Sequence, residues 1–498
     1  MAQLPLELIA IIFGYLLLNL NSTPNHGVTG ELNLDRSATL LKFAMTCRTF
    51  YQLAMPHVYY KFGCVHGGLI GPLDVLECFM TSPNQALVIH ELYTGMATNE
   101  RRRQHYDDAR WDHHCRSGPS LQLCKLLLSL DISDELRDDL YGGLQDGFDD
   151  AETAMLLCLC KDLRVWETRV GGRSPKELLM HHRLNGDDGG TFCDSLENKV
   201  IREARVPGSH LLQSLEEVRV QFDARVYDDE PSNYREGTHY WALRNVKDTL
   251  MLRSLRRLTI EGFAIHPLDR DDLDFSLRSM VEHLCLRESW LEEVGLRLLL
   301  KRCPRLKTLS VHRHELNPIE IEQFYDNPIT YPRLGHILRR YGTKLTKLEW
   351  KESSYDLRHS LIGDLTRLTS LETLSLPLAA LLKDYTKQHP RLRKILPTSL
   401  TSLTITSAGT DETDEAGDGS RSWDRTGLDV TLPKLMTDER YSKLSTIKTT
   451  HFSRVDDKLW LHELGWKHTS IEQDETDLFV VLKRFRRPSE VVPYLDWW

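Results

Sequence analysis

One short cadence of apolar residues recurs along the middle of this chain and limits the folds open to it. Each copy has apolar side chains at its first, fourth and sixth positions. The copies begin at Leu215, Leu255, Val281, Leu306, Leu345, Leu371 and Leu400. Because side chains alternate between the two faces of a β-strand, the fourth and sixth residues share a face and the fifth points away. Each copy therefore predicts a short strand with one buried face and one polar face.

The spacing of these copies is close to regular. Their last apolar residues fall at positions 220, 260, 286, 311, 350, 376 and 405, so the steps are 40, 26, 25, 39, 26 and 29 residues. Leucine-rich repeats recur every 20–29 residues, so four of these steps match and the two long ones indicate insertions. We therefore expect an α/β fold with an irregular leucine-rich-repeat solenoid over residues 151–450. A plain α/β domain with amphipathic elements is the alternative.

Helical periodicity appears before and between these copies. Apolar residues spaced three and four apart predict helices over residues 121–130, 150–160 and 292–303. The last of these stops before Pro304, because the residue that precedes a proline disfavours the α conformation. Strand and helix thus alternate along the chain, as a repeat of this class requires.

The segments on either side of the predicted solenoid are less regular. Residues 63–150 are expected to form a helical connecting region or degenerate first repeats. Weaker copies of the cadence lie at Cys160–Trp166 and Leu444–Ile447. Residues 451–498, which end in two tryptophans, are expected to cap the array, because the terminal repeat of a solenoid needs a cover.

The first 62 residues carry a different pattern, with three short helical segments rich in apolar residues. Pro5 suits the first turn of a helix, where its missing N–H costs no hydrogen bond, and apolar residues then recur at helical spacing as far as Leu16. The second segment runs over residues 40–50 and the third over 53–62. Helices this short are marginal alone, so we expect their excess apolar surface to be buried on a partner.

The order of residues in these segments resembles an F-box, in the form common in filamentous-fungal proteins. It reads Leu4-Pro5-x-x-Leu8-x-x-Ile11-Ile12 and then Leu41-x-x-Ala44-x-x-Cys47-Arg48-x-Phe50-x-x-Leu53-Ala54-x-Pro56-x-Val58-Tyr59-x-x-Phe62. Trp290–Val311 also resembles a repeat of F-box proteins of the leucine-rich class. The resemblance implies a substrate-recognition subunit that binds a Skp-type adaptor, and through it a cullin–RING ubiquitin ligase. The implied adaptor contacts, or their immediate supports, are Leu4, Pro5, Leu8, Ile11, Ile12 and Leu41.

One departure from the F-box pattern leaves an alternative open. The connection over residues 19–36 is longer than the usual turn between the first two helices of an F-box. An insert that packs over those helices would weaken adaptor binding. The alternative is therefore an F-box and leucine-rich-repeat interaction scaffold that does not assemble into a ligase.

Composition and charge exclude several other classes of protein. The net charge of −9 gives no general attraction to nucleic acid or to an anionic membrane. The apolar run Leu4–Leu20 contains Pro5 and Glu7, lacks a leading basic residue and is shorter than a membrane span of about 20 residues, so a membrane-tethered protein is only the alternative. Most of the ten cysteines lie in apolar stretches, which predicts a reducing compartment, cytoplasmic and/or nuclear.

No sequence motif for catalysis, cofactor binding or metal binding is found. The chain has no Gly-rich phosphate loop, no nucleophile elbow and no zinc-binding spacing of Cys or His, so we expect no catalytic residues, no cofactor and no metal. The alternative is an enzyme whose site is assembled from scattered residues such as His113, His182 and Asp188. The basic run Lys483–Arg487 is expected to be a solvated edge, with a nuclear-import or nucleic-acid element as its alternative.

The polar face of the predicted strands is the natural place for a protein target. Its residues mix both signs of charge with hydroxyl groups, which suits protein recognition more than a nucleic-acid track. One row is formed by the fifth residue of each cadence and a second row by the residue that follows the cadence. The predicted target contacts are Arg219, Gln221, Thr259, Glu261, Arg287, Ser310, His312, Glu349 and Lys351.

Overall fold

The protein forms two compact units in the computed structural model. The first unit comprises Met1–His239 with Met251–Leu255, and the second comprises Tyr240–Leu250 with Arg256–Trp498. The structure describes residues 39–40, 42–58, 60–66, 71–81, 83–96, 119–145, 149–171, 196–223, 243–261, 278–289, 291–313, 329–352, 361–381, 392–406, 426–449, 461–462, 464–473 and 478–485.

The first unit contains a parallel sheet whose strands pair in chain order, β1 to β4. Three register partners, Leu92, Trp166 and Val218, are buried on one face of this sheet. The strands are Lys61–His66 (β1), Glu91–Met96 (β2), Val165–Gly171 (β3) and Glu217–Asp223 (β4). The helices are Arg48–Val58 (α1), Pro72–Thr81 (α2), Leu121–Leu128 (α3), Asp134–Gln145 (α4), Asp149–Leu159 (α5) and Leu196–Ala204 (α6), with a 3₁₀ turn at Pro83–Val88.

Close helix packing fills the interior of the first unit. Helix α5 is buried along most of its length, including Met155 and Cys158. A Cβ atom on Gly143 of α4 would lie 2.4 Å from Cδ1 of Leu196 and 3.0 Å from Cβ of Ala151, so a larger residue there would require these side chains to shift. Helix α3 begins at Ser120, whose Oγ accepts a hydrogen bond from the backbone N–H of Leu123 at 3.2 Å and caps the helix.

The second unit contains a longer sheet, in which β5 to β11 run parallel and pair in chain order. Strand β13 pairs antiparallel with β11, and β12 pairs antiparallel with β13. The strands are Arg257–Glu261 (β5), His283–Ser289 (β6), Thr308–Arg313 (β7), Lys347–Glu352 (β8), Thr373–Pro377 (β9), Ser402–Thr406 (β10), Thr446–Thr449 (β11), Trp466–Gln473 (β12) and Leu478–Arg484 (β13). The helices are Leu243–Leu250 (α7), Glu293–Arg302 (α8), Tyr331–Tyr341 (α9), Leu378–Leu381 (α10), Leu392–Ile395 (α11) and Thr426–Met436 (α12).

The apolar cadence occupies equivalent positions in strands β5–β10. Its fourth residues are register partners and are buried, as are Leu348 and Leu374 on β8 and β9. Its first residue closes a turn before most of these strands, where the N–H of Leu345 bonds to the carbonyl of Gly342 at 3.0 Å and that of Leu306 to Cys303 at 3.0 Å. Before β6, the N–H of Val281 bonds instead to the hydroxyl of Ser279 at 3.2 Å. The apolar side chains of β5–β11 therefore form one continuous core face.

One pair of backbone hydrogen bonds also recurs from step to step. The carbonyl oxygen of Lys307 accepts bonds from the N–H groups of Thr346 and Lys347, at 2.8 and 3.0 Å. The carbonyl of Thr346 accepts the same two bonds from Glu372 and Thr373, at 2.8 and 3.0 Å. The turn into each strand is thus built in the same way, although the connections between strands differ in length.

The structure confirms the α/β class and three predicted helices, and it corrects one element near the N-terminus. Helices predicted over 121–130, 150–160 and 292–303 are α3, α5 and α8. The third helical segment, predicted to reach residue 62, is wrong beyond Val58. Phe62 lies in β1 opposite Leu92 of β2, because sheet pairing overrides the helical spacing of the apolar residues there.

Candidate functional site

The second unit presents a polar surface, here called the open face, on the side of β5–β11 away from the core face. It consists of the strand residues that alternate with the buried apolar positions. Its middle row is a set of register partners that crosses the sheet from strand to strand: Thr259, Cys285, Ser310, Glu349, Ser375, Thr404 and Lys448.

Glu349 lies at the centre of a polar cluster on the open face. Its carboxylate accepts a hydrogen bond from the Ser310 hydroxyl, with 3.2 Å between Oγ and Oε2. His312 Nε2 lies 3.5 Å from Glu349 Oε1. The ammonium groups of Lys347 and Lys351 lie 3.4 Å and 3.7 Å from the two carboxylate oxygens. Four neighbours on β7 and β8 therefore hold one carboxylate in place.

These neighbours keep Glu349 ionised. The hydrogen bond with His312 lowers the pKa of the Glu349 carboxyl most, to about 2, and the charges of Lys347 and Lys351 act in the same direction against burial. A carboxylate with so low a pKa is a poor proton donor at neutral pH. Glu349 is therefore suited to organising its neighbours rather than to acid catalysis.

Serine, histidine and glutamate meet here, but not in the order that nucleophilic catalysis requires. In a catalytic relay the serine contacts one ring nitrogen of the histidine and the acid contacts the other. Here Ser310 Oγ lies 3.3 Å from Nε2 of His312, and Glu349 approaches the same nitrogen. The Ser310 hydroxyl also donates to Glu349 rather than to a base. The cluster is a hydrogen-bonded anchor for side chains on a surface.

The structure brings together four of the predicted target contacts, Ser310, His312, Glu349 and Lys351. Thr259, Glu261 and Arg287 lie on the same face, on β5 and β6, where Glu261 and Arg287 are register partners. Thr406 was expected in the second polar row of the open face, but it is buried with 2% of its surface exposed. Its Oγ1 has no hydrogen-bond partner among the described residues.

A third row of the open face was missed by the sequence reasoning. Lys347 belongs to it, two residues before Glu349, as does His283, whose Nδ1 lies 3.0 Å from the hydroxyl of Thr308. The signal was present in the sequence: the residue two positions before each middle-row residue must share its face. The third residue of each cadence is therefore also predicted to lie on the open face.

Two predicted contacts, Arg219 and Gln221, lie on β4 in the first unit. Arg219 forms a local ion-pair cluster, with 2.6 Å from its Nε to Glu217 and 3.1 Å from its Nη1 to Glu167 on β3. Gln221 is the register partner of Arg169. Arg219 is thus held by two carboxylates of its own sheet.

The core side of the same second-unit strands carries a buried ionic group. Arg313 at the end of β7 pairs with Glu352 at the end of β8, and both side chains are less than 5% exposed. The Tyr331 hydroxyl donates a 2.6 Å hydrogen bond to Glu352. Burial raises the pKa of Glu352, an effect that the Arg313 charge opposes, and burial also raises the pKa of Tyr331 well above its usual range.

The buried cysteines lack the chemistry of reactive thiols. Burial raises the pKa of Cys160 and of Cys303 to about 12, and it raises the pKa of Cys158 further still. A thiol must ionise to act as a nucleophile or as a metal ligand. These three cysteines therefore behave as small apolar core residues.

The basic run near the C-terminus begins inside the fold. Arg484 of β13 donates to the carbonyl oxygens of Met436 at 2.9 Å and Tyr441 at 2.8 Å, and its guanidinium lies 4.8 Å from the centre of the Trp466 ring. Burial lowers the pKa of Arg484 to about 10. Arg484 thus closes the end of α12 instead of standing on a solvated edge.

Several predicted sites lie outside the described residues. These are all six adaptor contacts, Leu4, Pro5, Leu8, Ile11, Ile12 and Leu41, and the scattered candidates His113, His182 and Asp188. Within the described ranges, no three His, Cys, Asp or Glu side chains are grouped as a metal site. No helix in those ranges is both long and apolar enough to cross a bilayer.

Comparison with known proteins finds no matching family model and no curated protein with significant sequence similarity. The resemblance of the first 62 residues to an F-box therefore stays a prediction. What the chain does must be inferred from its own geometry.

Proposed function

We propose that this chain is the non-catalytic target-recognition subunit of an SCF-type ubiquitin ligase. Residues 1–62 would be an F-box that binds a Skp-type adaptor, and the second unit would belong to a leucine-rich-repeat solenoid that binds a protein target. The observation that carries the proposal is the parallel, chain-order pairing of β5–β11, with one polar face left to a partner.

The order of the strands supports a solenoid over other parallel α/β folds. In doubly wound folds the strand order reverses within the sheet, and both faces are covered by helices, so their strands are apolar throughout. Within β5–β11 every new strand pairs with the one before it, and apolar residues alternate with polar ones, most regularly in β5 and β8. The recurring hydrogen bonds to the Lys307 and Thr346 carbonyls support a repeated structural unit.

The chemistry of the described residues supports a binding role. Glu349 is held ionised, Ser310 has no relay to a base, and the buried thiols are poor nucleophiles. The chain would then contribute proximity, holding a target where a recruited ubiquitin-conjugating enzyme can modify it.

Exposed apolar side chains in and before helix α1 of the first unit support a second binding surface. Helix α1 exposes Tyr51 at 51%, and the turn before it exposes Met45 at 84%. The rings of Phe43 and Phe50 stack nearby with 4.2 Å between their centroids. Large apolar side chains left in solvent mark surfaces that bind partners when they are grouped.

An adaptor-binding experiment tests the proposal. Purified full-length chain is mixed with purified Skp-type adaptor, and a Leu4→Ala/Pro5→Ala variant is run beside it. We expect the wild type to retain the adaptor and the variant to lose it. A wild-type chain that retains no adaptor would overturn the ligase assignment and leave the repeat scaffold. As a matched control, Leu121→Ala/Leu128→Ala removes two exposed apolar side chains of α3 and is expected to leave adaptor binding intact.

A further inference from the structure

The open face of the second unit is cationic, whereas the whole chain carries a net charge of −9. The described strand residues of this face include two acidic side chains, Glu261 and Glu349, and five basic ones. The five are Arg257, Arg287, Lys347, Lys351 and Lys448. The excess negative charge of the chain therefore lies elsewhere, and the described strand residues of the open face have the opposite sign.

Three of these cations are placed to receive a ligand. Arg287 is exposed and makes no ion pair with any described residue. Lys347 is 47% exposed and Lys351 is 22% exposed at their side chains, and the contacts with Glu349 hold both ammonium groups in position. Ordering cations before binding lowers the entropy lost when a ligand docks.

We infer that the open face binds an acidic segment of a polypeptide in extended conformation. This inference rests on the proposed function in taking the open face as the target-binding surface. The ammonium groups of Lys347 and Lys351 both contact the carboxylate of Glu349, at 3.4 and 3.7 Å, so the two charges converge although the residues lie four apart on β8. Carboxylates at positions i and i+2 of an extended peptide lie on the same side of it and about 7 Å apart, so one peptide can reach both lysines.

The residues between the cations favour a polypeptide over a nucleic acid. The middle row offers partly exposed hydroxyls at Thr259 and Thr404, which can pair with peptide N–H and C=O groups. Single-stranded nucleic acid is held by stacking on aromatic rings, and the described residues of the open face include no Phe, Tyr or Trp. Two carboxylates within the face would also repel a continuous phosphate backbone.

The test is a binding titration with a fluorescent ten-residue peptide of alternating Glu and Ser. The full-length chain is compared with an open-face variant, Arg287→Ala/Lys347→Ala/Lys351→Ala. The matched control, Arg305→Ala/Lys344→Ala/Lys394→Ala, removes the same charge from exposed positions outside the strands. We expect the open-face variant to raise the Kd at least tenfold and the control to change it by less than twofold. A peptide of alternating Gln and Ser should bind at least tenfold more weakly to the wild type.

Three outcomes would overturn the inference. Equal loss in the two triple variants would mean that attraction depends only on overall charge, and an absence of measurable binding would mean that the face has no affinity for acidic peptide. Tighter binding of decathymidylate that depends on the same three cations would assign the face to nucleic acid.

Adaptor binding is measured on the same variants. If the chain binds the acidic peptide but not the adaptor, this inference holds and the ligase proposal fails. If it binds the adaptor but not the peptide, the ligase proposal holds and this inference fails.

Discussion

Strand β8 carries two glutamates three residues apart, Glu349 and Glu352, that point to opposite faces of the same sheet. Glu349 lies on the open face among Ser310, His312 and two lysines, and its pKa is lowered to about 2. Glu352 lies on the core side against Arg313 and Tyr331, and burial raises its pKa. The same side chain on the same strand therefore meets opposite electrostatic conditions.

The difference shows how the sheet divides stability from recognition. On the core side the charged side chains are almost fully buried, so each depends on a specific partner and loses much free energy without it. On the open face water screens the charges, so ion pairs there contribute little to stability and their positions remain free to serve binding. Changes to the two faces of β7 and β8 should therefore have unequal effects on unfolding.

The largest expected effect comes from Glu352→Ala. This variant leaves the Arg313 guanidinium buried without its carboxylate and removes the acceptor of the Tyr331 hydroxyl. We expect it to lower the free energy of unfolding by about 3–5 kcal/mol, measured by urea denaturation. The matched variant Glu349→Ala, on the other face of the strand, should lower it by about 1 kcal/mol or less. Equal losses would contradict the division between the two faces.

A combined replacement separates the need for partners from the need for charge. Arg313→Met/Glu352→Leu/Tyr331→Phe removes all three polar groups together and leaves none of them unpaired. We expect this variant to recover most of the stability lost in Glu352→Ala, because well-packed apolar groups often replace a buried ion pair without loss. A triple variant as unstable as Glu352→Ala would mean that the ionic group itself stabilises the core side.

A smaller effect is expected where helix α9 covers the core side. A Cβ atom on Gly335 would lie 1.8 Å from the carbonyl oxygen of Ile362, which is backbone and cannot move aside. We expect Gly335→Ala to destabilise the chain by about 1–3 kcal/mol through overpacking, seen as a lower urea midpoint. Gly142→Ala is the control, because a Cβ there meets nothing within 4 Å in helix α4. That change should stabilise by up to about 1 kcal/mol, and destabilisation by both would point to a general intolerance of alanine.

The repeated strands and the helices could be predicted from the sequence, because the spacing of apolar residues determines which of them share a buried face. The cadence from Leu345 to Trp350 places Leu348 and Trp350 on one face of β8, and both are buried, as is Leu345 in the turn before the strand. Helices α3, α5 and α8 were predicted for a related reason, since three- and four-residue spacing creates one apolar stripe. In both cases the pattern depends only on neighbours along the chain.

Features that depend on contacts between residues distant in the sequence could not be predicted from it. Phe62 keeps helical spacing from the residues before it, yet pairing with β2 places it in a strand. Arg313 and Glu352 look like ordinary polar residues in the sequence, and only the register of β7 and β8 brings them together in the core. The same register joins Ser310 to Glu349, so the members of the open-face cluster could be predicted singly but their contacts could not.

The smallest predicted effect concerns acid and tests the open face directly. Because the pKa of Glu349 falls from 4.5 to about 2 on folding, the unfolded chain binds its proton first. The stability that Glu349 contributes is therefore fully present above pH 4.5 and is lost as the pH falls toward 2. We expect Glu349→Gln to cost about 1 kcal/mol between pH 7 and pH 5, a value discounted for the partial exposure of the site, and progressively less below pH 4.5. Urea unfolding of both proteins between pH 7 and the acid limit of the fold measures this difference. A gap that stays constant over that range would mean that hydrogen bonding to Ser310 and His312, rather than the charge on Glu349, orders the open face.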